Sequence, residues 1–388
     1  MMTCPSTVNY KQIPSTLQFY SSNFTPTVQK IPSSPNPIQG QCLCDCPFIA
    51  ALASIAWVNR NFIIKNITIN SSGNSYTFNF WDYKGHQIQT STDPTVPLNP
   101  ATPLNTPVCN PTGILTPVTV SPQVLLDSNG SLANSSGFYG AGSNNVNEVW
   151  PGLYERAYAK FCYYENGIPL KSTGSQLSLS DLTNTSKDPT LADVLNLSKL
   201  QWGGNAATAL TYLTGQNCYS FNSTPTFPAA GGVPAASSIL NFIYAGFCAS
   251  PNPAYGKYKT RYPLVTWTAP SGSQYNNSGI RADHCYSILG VLTPGNGSPN
   301  SNNYFVLRDT YGATLPLTAG INLAESGTWT WYDVGFTIGP TTKQTLFTPP
   351  IIQQTTNLAS SPPNGIFGIE ASTTFPQYFT NIGWAQGY

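Results

Sequence analysis

The sequence predicts an α+β protein, with helices dominating up to about residue 215 and antiparallel strands dominating beyond it. Three observations carry that expectation. Cys46 to Trp57 is apolar on nearly every side, the pattern of a helix buried all round. Trp150 to Phe161 places Leu153, Ala157 and Phe161 at four-residue spacing, on one helical face. Pro263–Thr268, His284–Leu292, Tyr304–Arg308 and Thr328–Tyr332 are short runs of β-rich composition in the second half. A chain of 388 residues is long enough for two domains or one two-lobed unit.

Residues 1–36 read as an irregular arm, punctuated by prolines from Pro5 to Pro35. The helix that follows begins at Cys46-Pro47. Pro47 suits a first turn, where a missing N–H costs nothing, and that puts Cys46 at the N-cap. Phe62–Asn70 and Tyr76–Tyr83 alternate apolar and polar residues around a Ser71-Ser72-Gly73-Asn74 turn, and predict a β-hairpin. His86 falls just beyond, on an expected surface loop. Residues 91–145 are rich in Pro, Thr, Asn, Ser and Gly and read as a long polar insertion. Thr190–Leu200 and Ala206–Thr214 are expected helices, the second closed by Gly215. Ser238–Gly246 fits helix or strand.

The resulting division is an arm (1–36), a helix-rich lobe (37–215), a β-rich lobe (216–345) and a C-terminal tail (346–388) expected to lie across a surface or be partly loose. There is no internal repeat. A cleft between two lobes is the expected place for a site.

Charged residues make up 8% of the chain, against about 25% in ordinary domains. Net charge is +1. No Lys/Arg cluster is available for nucleic acid or an anionic membrane. No run reaches the roughly 18 apolar residues of a membrane helix. The start, Met1-Met2-Thr3-Cys4-Pro5, lacks the charged and apolar regions of a secretory signal. The ion-poor composition and ten Asn-x-Ser/Thr sequons lean extracellular, so compartment stays open, as does oligomeric state. Nine Cys fit either four disulfides and one thiol, or buried thiols with one reactive member.

The chemistry-bearing residues are few. A thiol at a helix N-terminus, as at Cys46, is of the reactive type. Only His86 and His284 offer imidazoles. His284 opens a β-run and is the candidate base for the thiol and acid for a leaving amine. If the His284–Leu292 and Tyr304–Arg308 runs pair as a hairpin, Asp309 falls beside His284 and orients its ring. Gln39, with the Cys46 backbone N–H, is a candidate oxyanion donor, and Gln41 is the alternative. Either Cys46 or His284 alone is more often structural. Cys42-x-Cys44-x-Cys46 also admits a metal reading, although zinc sites usually space Cys more widely.

In order along the chain, these residues resemble the catalytic core of the calpains, papain-like cysteine proteases. The calpain nucleophile segment, QGxLGDCWLLAAIASL, is similar to Gln39-Gly40-Gln41-Cys42-Leu43-Cys44-Asp45-Cys46-Pro47-Phe48-Ile49-Ala50-Ala51-Leu52-Ala53-Ser54. The histidine segment, GHAYSVLGV, resembles Asp283-His284-Cys285-Tyr286-Ser287-Ile288-Leu289-Gly290-Val291, and LRNPWG resembles Leu307-Arg308-Asp309-Thr310-Tyr311-Gly312. WPALLEKAYAK resembles Trp150 to Lys160, and Gly203-Gly204 with Ala209-Leu210 and Leu213-Thr214-Gly215 resembles a further calpain stretch. Five segments in one order, over about residues 38–335, are far more specific than any one of them.

The resemblance implies a papain-like two-lobe fold, a helical lobe and an antiparallel β lobe with a cleft between them, carrying long polar loop insertions. It implies endopeptidase action on a protein or peptide, with Cys46 as nucleophile, His284 as base and acid, Asp309 in the orienting Asn position and Gln39 in the oxyanion position. The chain departs from the family at Cys44 (for Gly), Pro47 (for Trp), Asp309-Thr310-Tyr311 (for Asn-Pro-Trp) and by one extra residue between Gln39 and Cys46. Calpain cores bind Ca²⁺. With only 15 carboxylates and no dense acidic loop, no cofactor is expected to be required and any calcium dependence to be weak or absent. A non-enzymatic binding or structural protein is the alternative, and acyl transfer to an amine is a third.

Overall fold

The computed structural model describes residues 9–14, 19, 22–24, 29–31, 37–38, 43–58, 60–70, 74–83, 113–126, 142–143, 149–199, 206–216, 218–222, 257–276, 278–292, 304–311, 366–371 and 374–385. They form a mixed α+β protein with helices and antiparallel sheets. The chain divides into two compact units: residues 1–88 with 110–216, and residues 89–109 with 217–388. Among the described residues no helix is long and apolar enough to cross a membrane.

The first unit holds strands β1 (Asn9–Gln12), β2 (Ser22–Phe24), β3 (Gln29–Ile31) and β4 (Pro37–Ile38), then helices α1 (Cys46–Val58) and α2 (Arg60–Lys65). Strands β5 (Ile67–Ile69), β6 (Tyr76–Asp82), β7 (Ile114–Val120), β8 (Gln123–Leu126) and β9 (Gly142–Ser143) follow. Helices α3 (Trp150–Glu165), α4 (Leu191–Lys199) and α5 (Ala206–Thr214) complete it. Helix α1 is buried along its length, as an all-round apolar helix must be. Strands β5, β6 and β7 form an antiparallel sheet with β6 in the middle. Phe78 and Phe80 of β6 are fully buried, and Phe80 stacks on Phe161 of α3 at 4.9 Å. Phe48 of α1 stacks on Tyr158 of α3 at 4.1 Å, so helix and sheet share one aromatic core. Each such ring contributes about 2–3 kcal/mol by leaving water.

Two expectations change here. Phe62–Asn70 is not one strand: its first half is α2 and only Ile67–Ile69 pairs with β6. Short apolar runs do not separate helix from strand by periodicity. Ile114–Val120, expected inside a polar insertion, pairs with the whole of β6, from Tyr76↔Val120 to Asp82↔Ile114. Pro117 is tolerated because β7 is an edge strand and needs no donor on its outer side. The arm also contributes: β1 pairs antiparallel with β8, and the Arg156 guanidinium lies 4.2 Å over the Tyr10 ring.

Helix α3 is buried on its charged face too. Lys160 donates to Thr119 O at 2.9 Å, Asn184 O at 2.8 Å and Asp188 Oδ1 at 3.0 Å, so its three N–H groups are all used. Gly215 ends α5 at φ +65°, and a Cβ there would meet the Trp81 ring at 2.1 Å; no other residue fits.

The described residues of the second unit form one six-stranded antiparallel sheet. Its strands are β10 (Cys218–Asn222), β11 (Lys257–Thr268), β12 (Cys285–Leu292), β13 (Tyr304–Asp309), β14 (Ile366–Glu370) and β15 (Phe379–Ala385), with a short helix α6 (Phe375–Tyr378) before the last. Their order is β10-β15-β11-β12-β13-β14. The tail is therefore not loose over its final part. β15 lies between β10 and β11, with Leu264↔Trp384 in register, and Phe375, Phe379, Ile382 and Trp384 are core residues. β11, β12 and β13 bear out the strands expected at Pro263–Thr268, His284–Leu292 and Tyr304–Arg308. Ser238–Gly246, Thr328–Tyr332 and His86 lie outside the described residues.

Candidate active site

In the first unit, the start of α1 presents Cys46. The N-cap is Asp45, one residue earlier than expected, because its carbonyl accepts the Ile49 N–H at 3.0 Å. Cys46 is the first helical residue and is 8% exposed. Pro47 follows in the first turn, where its lack of an N–H leaves no bond unmade. The Cys44 side chain is exposed, and its N–H donates to Ser198 Oγ at 3.1 Å. Cys44, Cys46, Cys162, Cys218 and Cys285 are present as thiols, so no disulfide joins Cys46 to Cys44 or Cys285. Gln39, Gln41 and Cys42 lie outside the described residues.

Asp45 itself is fully buried, and neither carboxylate oxygen makes a well-formed hydrogen bond to a donor. Its carboxyl faces that of Glu155 on α3, which is 1% exposed. Two carboxyls hydrogen-bond only when one is protonated. Burial pushes Asp45 up to about 7, against the pull of the Glu155 hydrogen bond and of its own backbone N–H. Burial beside Glu155 favours the protonated form of Asp45, which lowers the negative charge at this end of α1.

In the second unit, the β12–β13 ladder brings the other candidates together. Tyr286 pairs with Asp309, which sets Asp309 beside His284 at the start of β12. The His284 Nε2 to Asp309 Oδ1 distance is 2.9 Å, with His284 4% exposed and Asp309 fully buried. The main chain fixes where the ring hangs: His284 N–H donates to Thr268 Oγ1 at 3.1 Å, and Thr268 N–H donates to His284 O at 3.0 Å. The ring stacks on Tyr311, with centroids 4.8 Å apart and planes 8° apart, and meets Tyr286 edge-on at 4.9 Å. Asp283, just before it, takes φ 50°, a left-handed conformation that Asp tolerates.

Asp309 accepts three hydrogen bonds. Besides His284, the Tyr311 N–H donates to Oδ1 at 2.9 Å and Arg281 Nε to Oδ2 at 3.2 Å. Burial works against its charge, but His284, Arg281 and the Tyr311 N–H outweigh it and hold its carboxyl below the usual carboxylate range. An ionised Asp309 can only accept, so Nε2 carries the proton in that bond, and the Thr310 hydroxyl oxygen, 3.1 Å away, is a second acceptor. With the proton on Nε2, Nδ1 is the basic nitrogen of the neutral ring.

His284 and Asp309 are thus brought together; Cys46 belongs to the other unit. Sequence reasoning missed Arg281, Thr268 and Glu155. For Arg281 the available signal was a charge three residues before His284 in an ion-poor chain. Among the described residues no group of three or more His, Cys, Asp or Glu is placed to hold a metal ion. No protein-family model and no curated protein sequence matches the chain.

Proposed function

We propose that this chain is a cysteine endopeptidase of the papain-like, calpain-like kind, with Cys46 as nucleophile and His284 as base and acid. The observation that supports it most is the buried 2.9 Å His284–Asp309 bond, with the imidazole stacked on Tyr311. Ring tautomer and orientation are set in advance, as a general base requires. The Cys46 thiol at the start of α1, with the dipole's positive end behind it, supplies the nucleophile.

The reaction requires Cys46 Sγ to come within hydrogen-bond reach of His284 Nδ1. Nδ1 takes the thiol proton, and Sγ attacks the peptide carbonyl carbon. The C–N bond breaks, and His284 passes its proton to the leaving amine. Water then attacks the thioester, gives its proton to His284, and releases the acid while Sγ leaves as thiolate. Asp309 keeps Nε2–H pointed away from the reacting atoms throughout. Gln39 is proposed as oxyanion donor with the Cys46 N–H. The substrate would be an extended polypeptide.

Hydrolysis of a fluorescently labelled unfolded polypeptide tests this reading. The wild type is expected to cleave it in reductant, and Cys46→Ala to lose the activity by at least 10³-fold, since a nucleophile has no substitute. Cleavage that survives Cys46→Ala sinks the assignment, as does inactivity of the wild type with and without added calcium. Incorporation of an added amine in place of hydrolysis would move the reading to acyl transfer.

A further inference from the structure

An orienting carboxylate raises a difficulty that an orienting amide does not. Asp309 is buried, its carboxylate 2.9 Å from His284, and a carboxylate there favours the cationic form of the imidazole. An imidazolium held too firmly is a poor acid toward the leaving amine. The structure supplies a counterweight on the other carboxylate oxygen. Arg281 Nε donates to Asp309 Oδ2 at 3.2 Å, while His284 uses Oδ1, so both cations share one anion without competing for one atom. The Arg281 guanidinium also lies 4.6 Å over the ring of Tyr311, the residue stacked on His284.

Arg281 is not a wandering surface side chain. Its N–H donates to the Tyr286 hydroxyl at 2.9 Å, and its carbonyl accepts from Thr268 Oγ1 at 2.8 Å. Tyr286 and Thr268 are the residues that border and anchor His284. Its side chain is 29% exposed, so one edge of the guanidinium meets solvent while Nε is committed inward.

We propose that Arg281 is a positioning residue of the candidate site: it shares Asp309 with His284, clamps Tyr311 against the imidazole, and offsets the charge of the orienting carboxylate. The inference rests on the reading of His284 as base and acid, but its electrostatic content is independent of turnover. Several described groups surround His284. From β13 there is Asp309, with the buried Arg308 next in the strand and so on its opposite face. Arg281 and the exposed Asp283 precede the ring, Tyr286 and Cys285 come from β12, Tyr311 follows β13, and β11 presents the uncharged Thr268. Among the described residues Arg281 and His284 form ion pairs with Asp309, and the buried Arg308 adds a longer-range attraction to the same carboxylate.

The test is an NMR titration of the His284 imidazole in the full chain, with the two His resonances assigned by His86→Gln. Arg281→Met keeps the bulk over Tyr311 and removes the charge; its His284 midpoint is expected to rise by about one pH unit, a tenfold change in proton affinity. Arg281→Lys restores the charge and is expected to return the midpoint to within a few tenths of the wild type. Should Arg281→Met fail to fold, Arg281→Gln is read in its place, with the same expected rise. A midpoint that is unmoved or lowered in a folded, charge-removed variant overturns the proposal. Because the readout needs no substrate, a chain that shows the shift but cleaves nothing would fail as a peptidase while keeping Arg281 in this electrostatic role.

Discussion

Asp309→Ala is expected to slow alkylation of Cys46 by on the order of 10²-fold or more and to destabilise the fold by about 3 kcal/mol. Both effects come from one carboxylate. It is fully buried and accepts from His284 Nε2, Arg281 Nε and the Tyr311 N–H. Truncation leaves an imidazole with no fixed tautomer, a guanidinium with no counter-ion and a backbone N–H with no acceptor. Removing one member of a buried ion pair costs far more than removing both. Asp309→Asn is the informative companion. Its amide oxygen still accepts from Nε2–H and from Tyr311 N–H, so the ring keeps its orientation. Alkylation is expected to stay within about tenfold of the wild type, and most of the stability to return. Urea unfolding and alkylation rates of the two variants check this. An Asp309→Ala protein that is alkylated at the wild-type rate would show that Asp309 does not orient the base.

The second large effect is a pH dependence of stability centred on Asp45. Burial raises this carboxyl from the ordinary aspartate range to about 7 in the folded state. The folded protein therefore holds a proton, between pH 4 and 7, that the unfolded chain has released. The stability linked to it is fully present below about pH 4 and is lost as pH rises through 7. The loss is roughly 2–4 kcal/mol, shared with Glu155. Asp309 has the opposite sign: its lowered carboxyl contributes stability above the unfolded value, lost only as pH falls through its folded one. Asp45→Asn separates the two. Its amide offers Glu155 an N–H donor at every pH, so the fall between pH 4 and 7 is expected to flatten and the variant to exceed the wild type at pH 8. Thermal and urea unfolding across pH 4–8 measure the difference directly. Parallel curves for wild type and Asp45→Asn would mean that the pair holds no shared proton in the folded state.

The parts of the fold that could be read from the sequence are those carried by local pattern. Helix α1 announces itself because twelve consecutive residues have almost no polar side. Strands β12 and β13 are dense in β-branched and aromatic residues, and once they pair, the register alone sets Asp309 opposite Tyr286 and next to His284. What could not be read depends on distant partners. Ile366–Glu370 and Phe379–Ala385 are short and interrupted by Gly368 and Gly383, and they become strands because β13, β10 and β11 supply their ladders. Pro117 disguised β7, since only its place at a sheet edge makes a proline harmless there. The same holds within the site. Nothing near Asp45 in sequence signals that Glu155, 110 positions along, lies against it, and the Thr268 hydroxyl that pins His284 comes from another strand.

In the proposed peptidase, Cys46 and His284 act as one thiolate–imidazolium pair. Reaction of the purified chain with an epoxysuccinyl thiol-protease inactivator, followed by mass mapping, tests it most directly, with reductant and calcium each present and absent. A single adduct on Cys46 is expected in reductant, formed by the wild type and lost in His284→Ala. No adduct at Cys46 under any of these conditions, or equal labelling in His284→Ala, would contradict it.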